Sequence, residues 1–194
     1  MVFPAVAQNF DTASNTTSER SRNNFLPTSA VAQFAGSIGL VSLGAGWDYG
    51  KDDKWATELL IGFVPKYNTD RNKITITLRQ VYTPWSISLS HKSTYHPLRT
   101  GTYLSTTVGK QFWFSAPEKY PEKYYTFSTK LRMNIFIGQD FALKLNSKKL
   151  PLDRIRIYYD IHTSDLYLIS GATNRYLKAT DYLSVALGLK FNFK

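Results

Sequence analysis

The sequence predicts an all-β protein, an antiparallel up-and-down β-barrel of the transmembrane type, with eight strands. Three observations carry this expectation. Apolar and polar residues alternate with period 2 from about residue 30 onward, as in strands whose successive side chains point to opposite faces. Several alternating runs exceed ten residues, whereas globular strands run about 5–6 and a tilted membrane-spanning strand needs about 9–11. No amphipathic stretch of period 3.6 competes with them.

The elements follow in order. Residues 34–49 read as one long strand that changes phase. Phe34, Ile38 and Leu40 are even, Val41, Leu43, Ala45, Trp47 and Tyr49 are odd, and a bulge near Leu40–Val41 accounts for the slip. Runs 55–64, 73–83 and 102–114 follow. Residues 125–137 alternate Tyr, Phe, Thr, Leu, Met, Ile, Ile against polar neighbours, and Phe141, Leu143 and Leu145 give a short further strand. Residues 154–164 place Ile155, Ile157, Tyr159 and Ile161 on one face. In 183–193 every odd position is apolar, from Leu183 to Phe193. These are eight strands. An even count puts both termini at one side, with loops 50–54, 84–101, 138–140 and 165–181 on the far side and 66–72, 115–123 and 146–153 on the near side.

The chain has 194 residues, enough for one barrel domain over 31–194. Residues 8–30 read as a flexible, Asn/Ser/Thr-rich lead-in. Ala5-Val6-Ala7 before Gln8 reads equally as the end of a signal peptide, with 1–7 as its remnant, or as a chance small-x-small run. The absence of cysteine excludes disulfides and Cys-ligated zinc or iron–sulfur sites. With three histidines, His91, His96 and His162, no metal site and no cofactor are expected. His91 and His96 fall in a predicted loop.

The net charge of +10 raises nucleic-acid binding, but the basic residues are scattered and the strands too many for one OB-fold. No nucleic-acid partner is expected. Lys51, Lys54, Lys92, Arg99, Arg175 and Lys178 read as solvated loop charge or, at an outer rim, as partners for lipid phosphates.

Alternation does not say which face is wet. A soluble barrel or sandwich buries its apolar face, and an outer-membrane barrel turns that face outward around a polar lumen. The polar faces carry Glu58, Arg79, Lys110, Lys130, Arg132, Lys144, Arg154, Arg156 and Asp160 in mid-strand. Both signs are present, so they can fill a small lumen as paired ions. Trp47, Trp55, Trp85 and Trp113 lie at predicted strand ends, where interface aromatics sit.

The last strand ends Phe191-Asn192-Phe193-Lys194. It resembles the closing strand of bacterial outer-membrane β-barrels, which ends in an aromatic residue and is read by the barrel-assembly machinery. That resemblance implies a bacterial outer-membrane location, contact with lipid or lipopolysaccharide, and other outer-membrane proteins as partners in a complex. A second, local resemblance is to the lipid A 3-O-deacylase family, through His162-Thr163-Ser164 and the acidic Asp181 before the last strand. It implies His162 as base, Ser164 as nucleophile and Asp181 as orienting acid. Asp165 stands where the family has Asn, and the run to the acid is longer. On the residues alone, His162 with Asp160, Arg154 and Arg156 reads as an interior polar network. The expectation is therefore a non-enzymatic outer-membrane barrel, structural or accessory to an envelope complex. The alternative is a lipid A-modifying serine esterase, and a soluble lipocalin-like barrel is a third class.

Overall fold

A computed structural model describes residues 26–66, 72–108, 131–145, 151–165 and 183–194. Its strands are β1 (Ser29–Ala35), β2 (Val41–Tyr49), β3 (Trp55–Val64), β4 (Lys73–Tyr82), β5 (Ile87–Ser90), β6 (Ser93–Val108), β7 (Leu131–Lys144), β8 (Leu152–Ser164) and β9 (Ser184–Phe193). Eight of them form a closed antiparallel barrel of up-and-down order. Neighbours in sequence pair throughout, β1 pairs with β9, and β4 pairs with β6 to close the wall. The ninth, β5, pairs only with the start of β6.

The alternation decides the wall. Each wall strand turns large apolar side chains outward, among them Phe34, Leu43, Ile61, Leu78, Leu104, Ile137, Ile157 and Leu187, all at least 42% exposed. The opposite phase points into the lumen. Bulky inward groups lie across from inward glycines: Gly46 faces Glu58, Gly101 faces Phe136, Gly138 faces Asp160 and Gly188 faces Tyr158. A β-carbon at Gly188 would collide with the Tyr158 ring. Small residues thus make the room that large ones fill, as a narrow eight-stranded interior requires.

The structure corrects several boundaries. Residues 34–49 are not one bulged strand but the β1–β2 hairpin. Ala35, Gly36 and Gly39 have φ of 60°, 84° and 141°, and the Ala35 N–H donates to the Leu40 carbonyl at 2.8 Å. β1 also begins at Ser29, inside the expected lead-in. Residues 138–140 are not a loop, because β7 runs unbroken to Lys144 and absorbs the Phe141–Leu145 run. Residues 84–101 hold β5 and the first half of β6 instead of a loop. Pro97 sits in β6 at the register shift between His96 and Arg99, the kind of irregularity where a strand tolerates a residue without an N–H. Segments 67–71, 109–130, 146–150 and 166–182 lie outside the described residues, and with them parts of several expected loops.

These corrections change the sides. Ser29 pairs with Asn192, so the start of β1 and the end of β9 share one mouth, the termini-side mouth. The turn at 50–54, the β4–β6 connection and the strand ends flanking 145–151 lie at that mouth. The β1–β2 turn and the strand ends flanking 65–72, 109–130 and 165–183 lie at the other. The turn 50–54 is therefore on the termini side, not the far side.

Gly39 has its φ in the left-handed half of the map, and a β-carbon there would lie 2.9 Å from the Phe63 carbonyl oxygen. Gly39→Ala is expected to destabilise the barrel by roughly 1–3 kcal/mol, read as a lower urea midpoint in tryptophan fluorescence.

Candidate functional site

Among the described residues the lumen gathers buried ionisable side chains of both signs. Four acids (Asp48, Glu58, Asp140, Asp160) and four bases (Arg79, Arg99, Arg156, Lys190) point inward, none more than 8% exposed. Their formal charges cancel. Isolated, any one of them would carry a desolvation cost of several kcal/mol, so their pairing decides whether the barrel can exist.

Glu58 on β3 is the hub. Arg79, directly across on β4, donates from Nε at 2.8 Å and from Nη2 at 2.5 Å to Glu58 Oε2. Lys190 of β9 donates to Glu58 Oε1 at 3.1 Å and to Asp48 Oδ1 at 2.6 Å. Arg99 of β6 brings Nη2 to 3.7 Å from Glu58 Oε2 and donates through Nη1 to Asp160. Arg79 also donates to Gln33 Oε1 at 2.7 Å and to the Tyr158 hydroxyl at 3.0 Å, and that hydroxyl donates to Gln33 Oε1 at 3.1 Å. The Arg99 guanidinium lies over the Tyr158 ring at 4.0 Å and the Phe136 ring at 5.1 Å, within cation–π range. Asp48 is further held by Asn192 Nδ2 at 2.9 Å. Nearer the same mouth, His96 Nδ1 lies 2.5 Å from Asp140 Oδ1.

Of the residues expected to fill the lumen, Glu58, Arg79 and Asp160 meet in this network. Arg156 is inward and buried, Arg132 is half-buried, and Arg154 lies at the rim with a side chain 36% exposed, bonded to Asp153 Oδ2 at 3.1 Å. Lys110 and Lys130 lie outside the described residues. Two expectations are overturned: His96 is buried in β6 against Asp140, not solvated in a loop, and Arg99 is a lumen residue, not a rim cation. Both errors come from Pro97, which breaks the alternation that would have placed them. Lys51, Lys54 and Lys92 belong to the termini-side mouth, and Arg175 and Lys178 lie outside the described residues. Asp48, Gln33, Tyr158, Lys190 and Asn192 join the network beyond the residues the sequence predicts, and each occupies the polar phase of its strand.

His162 and Ser164 share the inward phase at the far end of β8. The His162 ring is 1% exposed and packs edge-on against Tyr103 at 5.5 Å and tilted against Phe136 at 5.9 Å. Neither of its ring nitrogens has a hydrogen-bond partner, so the structure does not join it to Ser164. Asp181 lies outside the described residues. Among the described residues no three His, Asp or Glu side chains gather as a metal site would require.

Outside the wall, the aromatics gather near the termini-side mouth. Trp55 stacks on Tyr82 at 4.3 Å, and the Tyr49 hydroxyl accepts from Gln80 Nε2 at 2.8 Å. Trp85 is 60% exposed and Trp47 half-buried. Trp113 lies outside the described residues.

No protein-family model, curated protein or solved structure matches the chain. The fold is consistent with the small outer-membrane barrels that the last strand resembles. The likeness to the lipid A deacylases rests on His162, Ser164 and Asp181 alone.

Removing the hub leaves three cations without their shared anion. Glu58→Gln is expected to lower unfolding stability by about 3–5 kcal/mol, whereas Arg154→Ala, at an exposed pair, changes it by about 1 kcal/mol or less. Urea titration of both variants checks the contrast.

Proposed function

We propose that the chain is an integral outer-membrane β-barrel with a non-enzymatic role, structural or as an accessory subunit of an envelope complex. The observation that carries this is the inverted polarity. Large apolar side chains cover the outside of all eight wall strands, and eight charged groups fill the inside. A protein surrounded by water gains from the opposite arrangement, since apolar area is stabilised by leaving water. A barrel in lipid gains from this one.

The dimensions support the reading. A ten-residue strand such as β3 rises about 33 Å, and a tilt of about 45° projects that to about 23 Å. The apolar band of such barrels is about 25 Å tall. The Tyr49–Trp55–Tyr82 cluster, amphipathic and near one mouth, suits a headgroup level. The start of β1, the end of β9 and the turn at 50–54 share one mouth and the longest inter-strand links leave from the other, as short periplasmic turns and long outer loops would have it.

The lumen argues for structure over transport or catalysis. Glu58 and Asp160 are fully inaccessible and Arg79 is 1% exposed, so the mid-section is filled. The sealed His162 ring offers a Ser164 hydroxyl no general base, a contact that nucleophilic catalysis needs.

The discriminating variant is Leu59→Arg, on the outer face in mid-β3. In lipid vesicles it is expected to cost about 2–4 kcal/mol. If the wall faces water, the change stays within about 0.5 kcal/mol and the membrane reading falls. The wild-type barrel is expected in the outer-membrane fraction, with a mobility shift on boiling. Expression is expected to leave lipid A acylation unchanged. An acyl chain lost with the wild type but kept with Ser164→Ala would establish the esterase instead.

A further inference from the structure

The lumen charges cancel, but the termini-side rim has a row that does not. Lys92, in the β5–β6 turn, lies beside Lys144 of β7, whose N–H donates to the Lys92 carbonyl at 2.7 Å. Lys144 in turn lies directly across from Arg154 of β8. Three basic residues thus sit side by side on three neighbouring chain segments. Like charges directly opposed across strands are destabilising. Asp153 on β8 binds Arg154 Nε at 3.1 Å, and Asp140 on β7 is inward and buried, with Oδ1 2.5 Å from His96 Nδ1. Among the described residues neither Lys92 nor Lys144 has a carboxylate partner.

The row borders a cavity of about 690 Å³ at the barrel mouth, with the β5 hairpin forming one side. Its lining includes Lys92, Lys144 and Arg154 with Ser88, Ser90 and Thr94, and His91 stands beside them. Among the described residues the cavity lining contains no Asp or Glu. A volume of roughly 300–1,000 Å³ is that of a ligand site. Cations and hydroxyls without a carboxylate form a donor set, and its complement is an acceptor-only group with more than one negative charge.

We propose that this rim cavity is a binding site for a phosphate monoester or diphosphate, carried by a larger polar body that the cavity has room for. Lys92 and Lys144 neutralise the oxyanion, Arg154 donates a fixed fork, and Ser88, Ser90 and Thr94 supply the remaining hydrogen bonds. The site does not depend on what covers the outer wall. In the orientation proposed above it opens to the periplasm, so its ligand is either a soluble phosphorylated compound or a headgroup of the inner leaflet.

The test is calorimetric titration of the full-length barrel in an uncharged maltoside detergent with pyrophosphate, and a parallel titration with nanodiscs containing phosphatidic acid. Saturable binding of either probe that weakens with added salt is expected. The pair Lys92→Gln/Lys144→Gln is expected to reduce affinity by about tenfold or more, while Lys54→Gln, on the β2–β3 turn, leaves it unchanged. Ser90→Glu sets a carboxylate at the exposed hairpin and is expected to abolish binding without touching a lysine. The boiling shift of each variant shows that its barrel is folded. Binding of pyrophosphate assigns a soluble ligand, and binding of the lipid alone assigns a headgroup. Absence of binding by both probes overturns the proposal, and so does binding that the double variant and Ser90→Glu leave intact.

Discussion

Glu58 draws cations from three other strands, β4, β6 and β9, and the rest of the barrel is arranged so that it can. A carboxylate with 0% exposure tolerates burial only when its lone pairs are filled and its charge is matched. Meeting that demand fixes which residues of β4 and β9 stand level with it and which inward positions must be glycine. A network of this kind is weak evidence for added stability, since well-packed apolar groups can do as well. Its stronger effect is on register. A slip of one residue in β4 would put Arg79 on the apolar wall and Leu78 or Gln80 against Glu58, because side chains alternate with period 2.

Much of this was legible. The outward and inward phases of β3, β4, β8 and β9 follow from alternation alone, and Glu58, Arg79 and Asp160 could be named as lumen groups before any coordinates. The strand count of eight matched the barrel through two opposite errors. The β1–β2 hairpin passed for one strand because Phe34, Ile38 and Leu40 keep their rhythm straight through a turn that Gly36 and Gly39 make tight. β7 was split because Gly138-Gln139-Asp140 has turn-like composition, whereas Gly138 is there to clear Asp160 across the ladder.

The residues that pattern could not reach lie where the sheet is irregular. The shift around Pro97 hides the inward positions of His96 and Arg99, and Arg99, together with Arg79, links Glu58 to Asp160. Partnership across the lumen is a second blind spot. Lys190 and Asp48 are 142 residues apart, and nothing local in either strand announces the other. The hairpin β5, exposed at every residue, carries too short an alternation to stand out from a loop.

The seam between β1 and β9 gives Asp48 an importance beyond its one charge. Thr28, just before β1, lies 3.0 Å from one Asp48 carboxylate oxygen, Asn192 of β9 donates to that same oxygen and Lys190 to the other. The start of β1 and the end of β9 therefore meet on a single side chain of the second strand. In an open sheet, with β9 not yet beside β1, Glu58 keeps Arg79 across the β3–β4 ladder, but Asp48 has no Lys190 to answer it and must keep its water. Joining the seam supplies the missing cation and expels that water in the same event. Circular closure and drying of the interior are thus one cooperative step, and a half-sealed barrel has no comfortable resting state on the way to the finished one.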